Sequence, residues 1–105
     1  MLLVREIMYC KPGKVRSMVE KFVAMSALME KSGQGKMRVM TDFVAERYWT
    51  IVSEFEVESL AAFERMMSGQ GQPMDTETMK QMDDLMKGYH DLVEFGRREI
   101  YKLEN

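Results

Sequence analysis

Residues 36–58 read KMRVMTDFVAERYWTIVSEFEVE, and the alternation inside this stretch decides the fold. Before residue 43, Met37, Val39 and Thr41 alternate with Lys36, Arg38, Met40 and Asp42. After residue 47, Trp49, Ile51, Ser53, Phe55 and Val57 alternate with Tyr48, Thr50, Val52, Glu54 and Glu56. A period of two, rich in β-branched and aromatic side chains, is the signature of a strand. Two such runs around a turn near residues 43–47 make a hairpin. One of its faces is nearly all apolar and needs cover. The other mixes polar and apolar groups, and a function can sit there.

Upstream, Leu2 to Cys10 reads as a strand with two mostly apolar faces, Leu3, Arg5, Ile7, Tyr9 and Val4, Glu6, Met8, Cys10. That pattern suits a strand covered on both sides. Pro12 and Gly13 end it. A helix is expected over about 14–31, where Val15, Met18, Val19, Phe22, Met25, Ser26 and Met29 form one stripe. Ser32-Gly33-Gln34-Gly35 stops it. Downstream of the hairpin, Ser59 is a good N-cap for a short helix with Leu60, Phe63, Met66 and Met67 on its apolar side. Residues 68–73, SGQGQP, read as a surface loop. Asp75 or Thr76 then caps a longer helix, whose stripe Met79, Met82, Met86, Tyr89, Val93 runs to a stop at Gly96. The last strand is expected over Arg97 to Leu103.

The chain has 105 residues, 15 basic and 17 acidic, for a formal charge of -2, and reads as a single domain over 1–105. No basic stripe points to nucleic acid, and no apolar run reaches the roughly 18 residues of a membrane span. Charge at Arg5 and Glu6 comes too early for a secretory signal. The single cysteine, Cys10, suits a reducing cytoplasm, and with one histidine, His90, there is no ligand set for a structural metal. The 13 methionines read mainly as core fillers at helical spacings.

The order is strand, helix, strand, strand, helix pair, strand. Right-handed crossovers put both helical segments on one face of a four-stranded antiparallel sheet, a ferredoxin-like α+β fold with strand order 4-1-3-2. The other sheet face stays bare, and an apolar patch of several hundred Å² usually marks an interface. A second copy related by a two-fold axis would cover it.

Three stretches carry a family likeness: Lys11-Pro12-Gly13-Lys14, Glu54-Phe55-Glu56 running into Ser59-Leu60, and Gly96-Arg97-Arg98-Glu99-Ile100-Tyr101. In this layout they resemble the dimeric α/β-barrel superfamily, and within it small NIPSNAP-like and antibiotic-biosynthesis-monooxygenase-like proteins. The likeness spans nearly the whole chain, and none of these stretches is a catalytic motif. It implies a homodimer whose two sheets enclose a cavity for a small organic molecule. Haem-binding relatives use a histidine from the C-terminal helical part, and the haem-degrading ones an asparagine on the first strand. Here His90 lies on the flank of its stripe and Asn105 is the only asparagine, so no cofactor is expected.

With Trp49, Ile51, Phe55 and Val57 toward the helices, Tyr48, Thr50, Val52 and Glu54 face the cavity, joined by Arg38 and Met40. Glu54 is either a desolvated general base or half of an ion pair with Lys36 or Arg38. Arg5, Arg97 and Arg98 either pair with Glu6 and Glu99 or grip a carboxylate. The candidate ligand-binding set is Glu54, Arg38, Tyr48, Thr50, Arg5 and Arg98, and no catalytic residue is assigned. The first functional reading is a dimeric binding module. The alternative is a cofactor-independent monooxygenase or isomerase acting in the same cavity.

Overall fold

The computed structural model describes residues 1–68 and 75–105; most of the expected loop at 68–73 therefore lies outside the described residues. The elements run β1 (Leu2–Cys10), α1 (Val15–Lys31), β2 (Arg38–Thr41), β3 (Thr50–Val57), α2 (Leu60–Met67), α3 (Thr76–Met86), a 3₁₀ turn (Tyr89–Asp91) and β4 (Val93–Lys102). The sheet order is β2-β3-β1-β4, every neighbour antiparallel, which is the expected order read from the other edge.

One face of the sheet carries the core. Cys10 and Ile51 join Met18, Phe22 and Met29 of α1 and Met37 in the buried cluster, and Met8, Val39, Phe55, Met82 and Met86 pack against it. Full burial of a side chain such as Ile51 or Met18 contributes roughly 1.5–3 kcal/mol. Polar contacts fix the helices over this core. Ser26 Oγ donates to Met37 O at 2.7 Å and ties α1 to the approach of β2. Lys21 Nζ donates to Leu85 O at 2.8 Å and to Lys87 O at 2.9 Å, which puts a cation on carbonyls left free at the end of α3. The expected caps form: Ser59 Oγ accepts from Ala62 N at 3.1 Å, and Asp75 Oδ1 accepts from Thr78 N at 2.6 Å.

Three expectations need correction. The last helix does not run to Gly96. Gly88 takes a left-handed φ of 79°, which turns the chain out of the helix. Tyr89, Leu92 and Val93 still reach the core, but from the 3₁₀ turn and the start of β4. Gly96 instead sits inside β4 opposite Met8, where an added Cβ would lie 2.6 Å from Ile7 O. Trp49 is not a strand residue facing the helices. It has a φ of 61°, is 40% exposed, and lends its carbonyl to Cys10 N at 2.8 Å. Finally, Glu54 lies directly opposite Arg38 rather than Lys36. The shift is two residues, so every side chain keeps its face.

Candidate functional site

The sheet face away from the helices is organised in rows that cross the strands. In one row Arg38, Glu54, Arg5 and Glu99 follow one another across β2, β3, β1 and β4. The next row is Met40, Val52, Ile7 and Arg97, and the one beyond it holds Thr50, Tyr9 and Phe95. Period-two alternation on each strand places these side chains together. Over the last two rows lies an open pocket of about 360 Å³, lined chiefly by Arg5, Ile7, Tyr9, Val52, Glu54 and Arg97. Met40, Thr50 and residues Ala45, Glu46 and Arg47 of the β2–β3 loop complete the lining. That loop is closed at its base by Asp42, whose Oδ1 accepts from Thr50 N at 2.9 Å and whose own N–H donates to Thr50 O at 3.2 Å.

The charged row is a chain of ion pairs. Glu54 is 7% exposed, and each of its oxygens accepts from a guanidinium: Oε2 from Arg5 Nε at 2.6 Å, Oε1 from Arg38 Nη2 at 3.0 Å. Arg5 Nη1 continues the chain to Glu99 Oε1 at 3.7 Å, and Glu99 Oε2 accepts from Arg97 Nε at 3.0 Å. The Arg97 guanidinium, with the hydroxyl of Tyr101 second, holds the Glu99 carboxyl below its ordinary range. The same bond to Glu99 raises the pKa of Tyr101. At the far end Arg97 Nη1 donates to Tyr9 Oη. The Tyr9 ring packs 4.9 Å from Phe95, and the Arg47 guanidinium stands 4.9 Å from the centroid of Tyr9 and 4.7 Å from that of Phe95.

The structure brings together Glu54, Arg38, Thr50 and Arg5 of the residues singled out from sequence. Tyr48 precedes β3, is 84% exposed, and is not among the lining residues. Arg98 turns to the helix side, where its Nε donates to Glu6 Oε1 and its guanidinium lies 5.1 Å from the ring of Phe63. Its neighbour Arg97 takes the open face. Sequence reasoning missed Tyr9, Phe95 and Arg47 as a group. Alternation put Tyr9 beside Arg5 and Ile7, which was a usable signal. Nothing in the pattern of a turn foretells that Arg47 folds back over Tyr9. His90 is exposed, stacks on Tyr89 at 3.9 Å, and does not line the pocket. The buried Cys10 thiol lies on the helix side, with its pKa raised by burial. Among the described residues no cluster of His, Cys, Asp or Glu is arranged to hold a metal ion, and no helix is long and apolar enough to cross a membrane.

No protein-family model matches the chain, and no curated protein does. Solved structures share its fold. An uncharacterized NIPSNAP-like domain protein from Burkholderia xenovorans superposes over 97% of this chain and 84% of its own, with TM-score 0.73 and 12% identity. An uncharacterized NIPSNAP domain protein from the same organism gives TM-score 0.72 over 98% and 94%, with 10% identity. An antibiotic-biosynthesis-monooxygenase-like protein from Deinococcus radiodurans gives TM-score 0.60 over 100% and 94%, also with 10% identity. The suspected likeness therefore holds at the level of the fold.

Proposed function

From this shared fold we propose that the protein, one ferredoxin-like unit over 1–105, works as a cytoplasmic homodimer whose two open sheet faces enclose a cavity that takes a small organic molecule. The observation that carries the reading is the pocket on the sheet face away from the helices, with Ile7, Val52 and Met40 as an apolar floor between charged and aromatic rows. Pockets for small molecules usually measure about 300–1,000 Å³ and pair an apolar lining with a few placed polar groups. Exposed apolar side chains support the second copy. Met40, Phe95 and Tyr101 are 37%, 49% and 47% exposed on this face, and Phe43 and Val44 at the loop beside it are 100% and 91% exposed. Four strands about 4.8 Å apart and about eight residues long present a footprint of roughly 500 Å². Two such faces come to about the 1,000 Å² that a specific interface needs.

Binding is favoured over turnover because Glu54, the strongest candidate base, has a guanidinium on each oxygen. Sedimentation at micromolar concentration tests the dimer, and a well-folded 12.3 kDa monomer with no tendency to associate refutes it. Val52→Asp at the centre of the face is expected to lower association and solubility together. A thermal-shift screen tests the cavity, since a ligand of the folded state alone raises the melting temperature by mass action.

A further inference from the structure

The row of ion pairs ends one positive charge out of balance. Arg38, Arg5 and Arg97 supply three guanidiniums, against the two carboxylates of Glu54 and Glu99. Glu54 is shared by Arg38 and Arg5, while Glu99 serves both Arg5 and Arg97. Arg97 closes the row at the Tyr9 end, 3.0 Å from Glu99 and donating to the Tyr9 hydroxyl. Arg47 adds a second guanidinium there from the β2–β3 loop. It leans on the rings of Tyr9 and Phe95 and has no ion-pair partner among the described residues.

Resting on the reading of the open face as a ligand cavity, we propose that this end of the pocket is an anion subsite, and that the ligand is a small monocarboxylate with an apolar body. Arg47 receives the carboxylate, Arg97 assists it, and the apolar body lies over Ile7, Val52 and Met40. Three physical points support the assignment. A guanidinium forks onto a carboxylate with two parallel, charge-assisted bonds. Stacking on two aromatic rings holds that fork in place before the ligand arrives, so less side-chain freedom is lost on binding. The charges lining the pocket, Arg5, Arg47 and Arg97 against Glu46 and Glu54, leave a net single positive charge, which suits a monoanion better than a phosphate dianion.

Octanoate and its neutral counterpart octanamide, compared by titration calorimetry, test the subsite. Octanoate is expected to bind the full chain about tenfold or more tightly than octanamide, the margin a charge-assisted bond supplies. Arg47→Met keeps an unbranched apolar side chain and removes the guanidinium. It is expected to lose that margin for octanoate and leave octanamide unchanged. Glu46→Gln is expected to tighten octanoate alone. Equal affinity for the two probes, binding of neither, or an Arg47→Met variant that keeps the margin overturns the subsite. Sedimentation of the same samples separates the two readings. A monomer that still binds octanoate through Arg47 refutes the enclosed dimer and leaves the subsite standing. A dimer blind to the charge does the reverse.

Discussion

Replacing Gly96 by alanine tests a close approach within the sheet. The residue lies opposite Met8 in the β1–β4 pair, and an added Cβ would sit 2.6 Å from Ile7 O and 3.3 Å from both Met8 Cα and Met8 Cγ. Two of these three neighbours are backbone on a central strand, so they yield only if β1 and β4 move apart. Overpacking of this kind costs about 1–3 kcal/mol. Alanine gives back about 0.4–1 kcal/mol by restricting the unfolded chain. The net loss is then about 1–2 kcal/mol, or about 5–15 °C in melting temperature for a chain of this length. Valine, with two further methyl groups on the same Cβ, is expected to cost more. Circular dichroism melts at fixed protein concentration give the answer. Gly35 is the comparison, since its Cβ would meet nothing within 4 Å and only its φ of +94° resists substitution. A Gly96→Ala protein as stable as the parent would refute the close packing of β1 on β4.

Other outcomes follow from contacts already described. Lys21→Met removes the ammonium from Leu85 O and Lys87 O and is expected to cost about 1 kcal/mol, with amide exchange rising first in the last turn of α3. Glu99 has a folded-state pKa below its ordinary 4.5, so its contribution to stability is present above that value and is lost as pH falls through the lower folded value. Urea titrations down the acid range should show this loss, and Glu99→Gln should flatten it. The Cys10 thiol, 3% exposed and with its pKa raised by burial, should react with thiol reagents slowly in the folded protein and rapidly in denaturant. Equal rates would mean that β1 opens freely.

Much of this architecture was legible in the sequence because it rests on periodicity. The two faces of β3, the limits of β1 and the stripe of α1 all follow from alternation or helical spacing. The same tool misplaced the end of α3. Tyr89, Leu92 and Val93 keep a spacing that suits a helix and do reach the core, while Gly88 changes the backbone beneath them. Periodicity sorts residues into faces but does not say which face of an edge strand meets the helices. That is why Arg98, paired with Glu6 on the helix side, entered the candidate ligand-binding set while Arg97, weighed beside it, did not. Arg47 was out of reach for another reason. It lies in a loop, and its place over Tyr9 and Phe95 depends on contacts between residues far apart in the chain.

The strand order also sets a timetable. During synthesis β1 emerges first of the four strands, and β3 can pair with it while β4 is still to come. Until then one edge of β1 offers a row of unpaired amides and carbonyls, a template for any passing strand. The β1–β4 partnership also spans nearly the whole chain, so closing it is slow compared with making the β2–β3 hairpin. Pairing in that order would leave the chain as a three-stranded sheet until β4 docks. The close backbone approach of Gly96 to β1 is made by the last strand in the chain.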